Sequence, residues 1–246
     1  MPASGGNKVT ALPPGMELSA DRIEKLSLIG RNAGNTAVGA TYETVASAGG
    51  IRNVIGTSGV QLDIVSKSAD DDNGGGSDCR RVKVRGLDEN GAIVDENVNL
   101  DGTATVTTTN SYLNIYGFVG NKGAENVGTI KAYKTGETDT LVQIEPGTNQ
   151  ADIPHFQAPT DNRVYLTSFL ASVSGEAYVS IWARRANIGN TWQKKFEIVL
   201  KDGTATYQLP NPIKLDPREE FEFRAKRVGS TDAIVRVDWQ VIVEAD

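Results

Sequence analysis

The sequence contains one histidine, His155, and one cysteine, Cys79. Any Ser-His-Asp or Cys-His constellation must therefore run through one of these two side chains. His155 lies in IPHFQAP, beside Pro154 and Phe156, with no nucleophile motif close by, and reads as a packed linker histidine. Cys79 follows a glycine-rich loop and opens a strand-like run, where a small buried side chain is expected. A single cysteine also leaves no intrachain disulfide and no cysteine-based zinc site. P-loop, dinucleotide and histidine-based metal motifs are absent from the sequence. These residues predict a protein that is not an enzyme and that carries no cofactor.

Three further sets of residues have binding chemistry. In KSADDDNGGGSD, Asp70, Asp72 and Asp78 offer oxygen ligands from a flexible loop, the kind of site Ca2+ takes. The loop lacks the spaced ligands and terminal Glu of an EF-hand, so a metal is not expected and these aspartates are only a weak calcium candidate. Arg81, Lys83 and Arg85 share one face of a strand and invite a phosphate or nucleic-acid reading. If GLDENGA turns a hairpin, Arg85 faces Asp95, Lys83 faces Asn97 and Arg81 faces Asn99, so cross-strand pairing accounts for the stripe. Arg224, Lys226 and Arg227 are similarly answered by Glu219, Glu220 and Glu222. Tyr112, Tyr116 and Phe118 fall on one side of a strand, opposite Leu113 and Ile115, with Trp182 and Trp192 elsewhere in the chain. Period-two aromatics suit a core or a subunit interface better than a sugar platform, so Tyr112 and Tyr116 are interface candidates.

The elements that position these residues read as strands. From Thr41 onward the apolar period is two, as in Leu62/Ile64, Val82/Val84, Leu113/Ile115, Ile130/Ala132 and Val142/Ile144. The longest clean run is Val235, Val237, Trp239, Val241 and Val243, which predicts a half-buried strand. Turn signals recur at Asn90-Gly91, Pro146-Gly147, Gly175, Gly189 and Gly229. The string DGTAT occurs twice, at Asp101 and at Asp202, and both copies predict hairpins. The pattern gives about eight strands before Pro146 and about seven after Pro159, joined by a breaker-rich crossover.

The predicted fold is all-β: two packed antiparallel sandwich or jelly-roll-like units, residues 38–150 and 151–246, behind an extended N-terminal arm, residues 1–37. Within the arm, Ser19 could cap a short helix carrying Ile23 and Leu26. A segment so poor in apolar residues does not repay its ordering cost alone, which makes Val9, Leu12 and Met16 candidate anchors on a neighbouring subunit. Of the 246 residues, 39% are hydrophobic and 23% charged, with a net charge of −6. That acidic balance argues against nucleic-acid binding. No apolar run approaches the ~20 residues of a membrane helix, and the N-terminus lacks the apolar core of a signal peptide. The expectation is a soluble protein made in the cytoplasm, with no membrane partner.

The order of motifs resembles a family of virion structural proteins from tailed bacteriophages. It runs from Gly30-Arg31-Asn32 through the loop Asp70 to Gly76, then Gly86-Leu87-Asp88, Glu96 to Gly102, and Asn126-Val127-Gly128-Thr129-Ile130. The likeness covers roughly residues 22 to 175, and Asp101 stands where the family pattern more often has Asn. The resemblance implies a capsid decoration (cement) or head-fibre protein, a homo-oligomer with a trimer favoured, bound to the major capsid protein or other virion proteins. The alternatives are a tail, collar or fibre component, or a virion-surface carbohydrate-binding module using Tyr112, Tyr116 or Trp182.

Overall fold

The computed structural model describes residues 26–56, 58–136, 138–184 and 191–245, and every regular element among them is a strand. The strands are β1 (Leu26–Val38), β2 (Glu43–Thr44), β3 (Leu62–Ser66), β4 (Arg81–Leu87), β5 (Ile93–Asn99), β6 (Val106–Thr107) and β7 (Asn114–Lys122). They continue with β8 (Ile130–Lys134), β9 (Thr140–Ile144), β10 (His155–Gln157), β11 (Asn162–Arg184), β12 (Trp192–Leu215), β13 (Glu220–Arg227) and β14 (Ala233–Ala245). The protein is all-β and antiparallel, with three sheets among the described residues.

The first unit is a small sandwich. Sheet β6-β3-β8-β9 faces sheet β5-β4-β7, and alternating residues of both, among them Leu62, Ile64, Val82, Val84, Phe118, Ile130 and Ile144, form one core. The Asn90-Gly91 turn closes the β4–β5 hairpin in the expected register, Arg81↔Asn99, Lys83↔Asn97 and Arg85↔Asp95. Gly91 takes φ 80° there, a conformation that costs glycine little.

The second unit is one seven-stranded sheet, ordered β1-β14-β11-β13-β10, with β12 on the other side of β11 and β2 on β13. Its spine is β11, whose first half pairs with β14 and second half with β13, while β12 runs along its opposite edge. The sheet folds over on itself. Phe169 on β11 lies 5.4 Å from Phe223 on β13, yet Phe223 pairs with Ile181. Twelve extended residues, from 169 to 181, would separate them by roughly 40 Å in a flat sheet. The fold line crosses Gly175, at φ 94°, and Asp202, at φ 39°; the register of β11 and β12 slips there, and Gly175 N–H donates to Asp202 Oδ1 at 2.7 Å. Strands that change sheet at such bends make the corners of a sandwich.

The second DGTAT is thus a corner inside β12 rather than the expected hairpin. The first, at Gly102 (φ 56°), is a turn, but the strand after it, β6, pairs with β3 and not with β5. Turn signals within long strands also explain why four strands, not about seven, follow Pro159 among the described residues. Residues 26–37, assigned from sequence to the arm, belong to β1, which pairs along β14 from Leu26↔Glu244 to Val38↔Ala233. The second unit therefore takes its edge strand from before the first unit, and the core of the first extends past 150 to Ala151 and Ile153. Ser19, Ile23, Val9, Leu12 and Met16 lie outside the described residues. As expected, Val235, Val237, Trp239, Val241 and Val243 all point into the core.

Candidate functional site

The acidic loop is an anchor. Asp71, which the calcium reading passed over, is fully buried and accepts hydrogen bonds from Ser66 Oγ (2.6 Å), Val127 N (3.0 Å) and Gly128 N (2.9 Å). Asp72 caps its own loop through Gly74 N and Gly75 N. Gly128 is required by close approach, since a Cβ there would sit 2.4 Å from Ser68 N. Asp70, Asp72 and Asp78 do not converge, and among the described residues no group of three His, Cys, Asp or Glu side chains is placed to hold a metal ion. Alternating burial was not readable in a loop, so sequence carried no signal that singled out Asp71.

Neither tyrosine of the predicted interface is on the surface: Tyr112 is 0% and Tyr116 2% exposed. They also lie in different cores, Tyr112 in the first unit and Tyr116 in the second. The cause is a bulge in β7, where Arg85 pairs with Gly117 but Gly86 pairs with Ile115. The extra residue, Tyr116, turns to the opposite face and packs 5.4 Å from Phe156 across the junction of the units. Strict alternation from Tyr112 to Phe118 was therefore the wrong periodicity.

Trp182 and Trp192 stand on the outer face of the second unit, but their rings are already occupied. The Arg224 guanidinium lies 5.0 Å from the Trp182 ring and 4.9 Å from that of Trp192. The Lys226 ammonium sits 4.9 Å from both Tyr42 and Tyr178. Such cation–π contacts stiffen the face and obstruct the flat stacking that a sugar ring needs. The carboxylates sort differently from the expected cluster. Glu222 pairs with Arg224 at 3.0 Å, Glu220 pairs with Arg184, Glu219 caps Asp216 N, and Arg227 pairs with Asp232 at 3.3 Å.

The junction of the two units buries a network that sequence reasoning missed. Arg52, from the connection after β2, reaches Glu220 at 2.7 Å and Glu222 at 3.4 Å. Thr44 Oγ1 donates to Glu222 at 2.6 Å. His155 sits beside them; its Nε2 lies 2.8 Å from Ile115 O and 3.2 Å from Asn114 Oδ1. A carbonyl only accepts, so Nε2 carries a proton. Burial, with the Arg52 charge adding to it, pushes the His155 pKa well below the usual histidine value. Its Nδ1 has no hydrogen-bond partner among the described residues. Nearby Asp152 is pushed up to about 6 by burial, with Arg236 opposing and Glu145 adding to the shift. Cys79 is buried, and desolvation raises its thiol pKa, which makes it a poor nucleophile at neutral pH.

Two concavities flank this junction. A cleft of about 810 Å3 separates Lys83 and Arg85 on one sheet from Ser168, Gln208, Asp238 and Gln240 on the other. Both cations share Asp95, each at 2.7 Å, and Phe118, Ile153, Phe169 and Trp239 add an apolar lining to the same cleft. A pocket of about 280 Å3 is lined by Arg52, Asp152 and His155.

These features define an all-β protein of two sandwich units joined by a buried polar seam. No protein-family model and no curated protein matches the chain. Solved structures similar to it include the mosquito-larvicidal Cry4Aa toxin of Bacillus thuringiensis, at 10% identity and TM-score 0.26, with 90% of this chain covered. The chain spans 52% of that toxin chain. The PBSX exported protein XepA follows at 12% identity and TM-score 0.19, covering 87% of this chain and 86% of that one. The infectious bursal disease virus Gt strain structure gives 9% identity and TM-score 0.20, covering 96% and 75%. Scores this low define no shared topology.

Proposed function

We propose that this is a non-enzymatic structural protein of a tailed-bacteriophage virion, made in the host cytoplasm and acting as a capsid decoration (cement) protein. The motif order from Gly30 to Ile130 supports the family. The observation that carries the role is the use made of the reactive side chains. The histidine, the cysteine and the buried carboxylates Asp71, Glu220 and Glu222 all hold strands, turns or the seam between units. A body so cross-braced suits load-bearing across neighbouring capsid subunits, where ~1,200–2,000 Å2 of buried interface repeated over the shell stabilises it against internal pressure.

Particles lacking the protein, incubated with the purified chain and imaged by cryo-electron microscopy, test this. Regular density on the head, with a rise in particle melting temperature, is the expected result. Density confined to the tail, collar or fibres moves the protein to that assignment, and no density anywhere ends the virion reading. The carbohydrate-binding reading is disfavoured by burial of Tyr112 and Tyr116 and by the cations over Trp182; a blank glycan array is expected.

A further inference from the structure

β12 pairs with β11 along one edge, and its other edge has no strand partner among the described residues. An unpaired strand edge is a template for another strand, and proteins protect such edges with prolines, bulges and inward or flanking charge. Here those devices cluster toward the C-terminal end, where residues 209–212, containing Pro210 and Pro212, loop out of the register with β11. The stretch Glu197–Lys201 has no proline and pairs with β11 without a register shift. Its middle residue, Val199, is 50% exposed, one of the few large apolar side chains left in water. Ile198 and Leu200 lie only partly buried against the core.

The sequence of this stretch, EIVLK, complements itself. Laid antiparallel on a second copy with Val199 opposite Val199, it sets Ile198 opposite Leu200 and Glu197, which also accepts from Lys194 Nζ at 2.9 Å and from Tyr42, opposite Lys201, twice. Residues on the two strands keep the same face in such a pairing, so the two charge pairs and the valines share the outer face while Ile198 and Leu200 share the inner one. We infer that β12 is a self-association edge, and that two copies join there about a twofold axis through Val199 into one continuous sheet. The axis is isologous, so each copy gives and receives the same contacts and the assembly closes as a dimer. The corner at Asp202 ends the pairing on one side. This deepens the homo-oligomer part of the proposed function and replaces the trimer with a twofold unit. It can hold whether or not the protein decorates a capsid, so particle binding and self-association fail separately.

Sedimentation of the full chain and non-reducing electrophoresis of Val199→Cys test it. Directly opposed residues on an antiparallel pair lie ~4.5–5.5 Å apart at Cα, within disulfide reach; the native Cys79 is buried. Val199→Cys should cross-link to twice the chain mass on mild oxidation, whereas Val228→Cys, at a comparably exposed apolar site, should not. Lys201→Glu should lose the dimer by opposing Glu197 with a second carboxylate, and Glu197→Lys combined with Lys201→Glu should restore it. A wild-type monomer at all concentrations overturns the inference. So does an oligomer in which Val199→Cys fails to cross-link, which would place another surface at the interface, or a charge swap that rescues nothing.

Discussion

The two units solve the same problem with different means. In the first, the longest strand among the described residues has nine residues, and side chains pin the loops to the backbone. Asp71 holds Val127 and Gly128; Asn126 Nδ2 donates to Gly128 O and Glu145 O; Glu96 accepts from Thr109 N and Asn110 N. In the second, β11 and β12 run 23 and 24 residues and order comes from packing. Phe156, Phe169, Phe221, Phe223 and Trp239 interlock across the folded sheet at centroid distances of 5.1 to 6.1 Å. Short strands supply few ladder hydrogen bonds, so their register needs fixed turns; long strands carry their own register and need a corner and a core.

The largest predicted effect falls where the two designs meet. Arg52→Met takes one cation from both Glu220 and Glu222, leaving Arg184 and Arg224 beside them, and should destabilise the fold by ~3 kcal/mol, the low end for breaking a buried pair. Chemical denaturation should show the loss in both units together; a loss below about 1 kcal/mol would mean the seam is solvated and the units are independent.

Asp71→Ala strikes the turn-pinned unit alone. It strands the buried N–H of Gly128 and frees the part-buried one of Val127, and should cost roughly 1–3 kcal/mol. Hydrogen exchange should quicken in β3, β8 and β9 while β11 and β14 stay protected. Equal loosening of both units would erase the contrast drawn above.

Acid should act on the seam through His155. Its folded pKa is depressed, so below about 6.5 the unfolded chain takes up a proton that the folded one refuses, and stability falls by up to ~1.4 kcal/mol per pH unit. Asp152 acts in the opposite sense, because its raised folded pKa of about 6 lets the native state bind a proton first as pH falls toward the ordinary aspartate value of 3.8. Asp152→Asn should therefore steepen the acid loss, and His155→Gln should flatten it, both read from denaturation midpoints across that range.

The smallest effect is expected at the basic stripe. Arg85 and Lys83 share Asp95 near the surface, and Asp95→Ala should change stability by no more than ~1 kcal/mol, less still at high salt.

How far the sequence was legible follows the same division. The β4–β5 hairpin was readable to the residue, because Asn90-Gly91 sets the turn and alternation sets the faces. The C-terminal strand was readable because Val235 to Val243 keep one period throughout. The tyrosines were misread because a single bulged residue, Tyr116, reverses a face while leaving the amino-acid pattern unchanged. Asp202-Gly203 was misread because the same backbone conformation that closes a hairpin also bends a continuous strand; the choice depends on whether the flanking residues pair with each other or with a third strand.

Local chemistry thus determined the all-β class, the loops and the absence of recognisable catalytic motifs from the sequence, since those depend on residue type and short-range spacing. Tertiary structure alone decided the rest. It brought Arg52 and His155 to Glu220 and Glu222, nested the first unit between β1 and the remainder of its own sheet, and left one edge of β12 without a strand partner among the described residues. Each of these joins residues far apart in the chain, and which of many possible long-range pairings wins depends on the packing of the whole molecule, which no window of sequence contains.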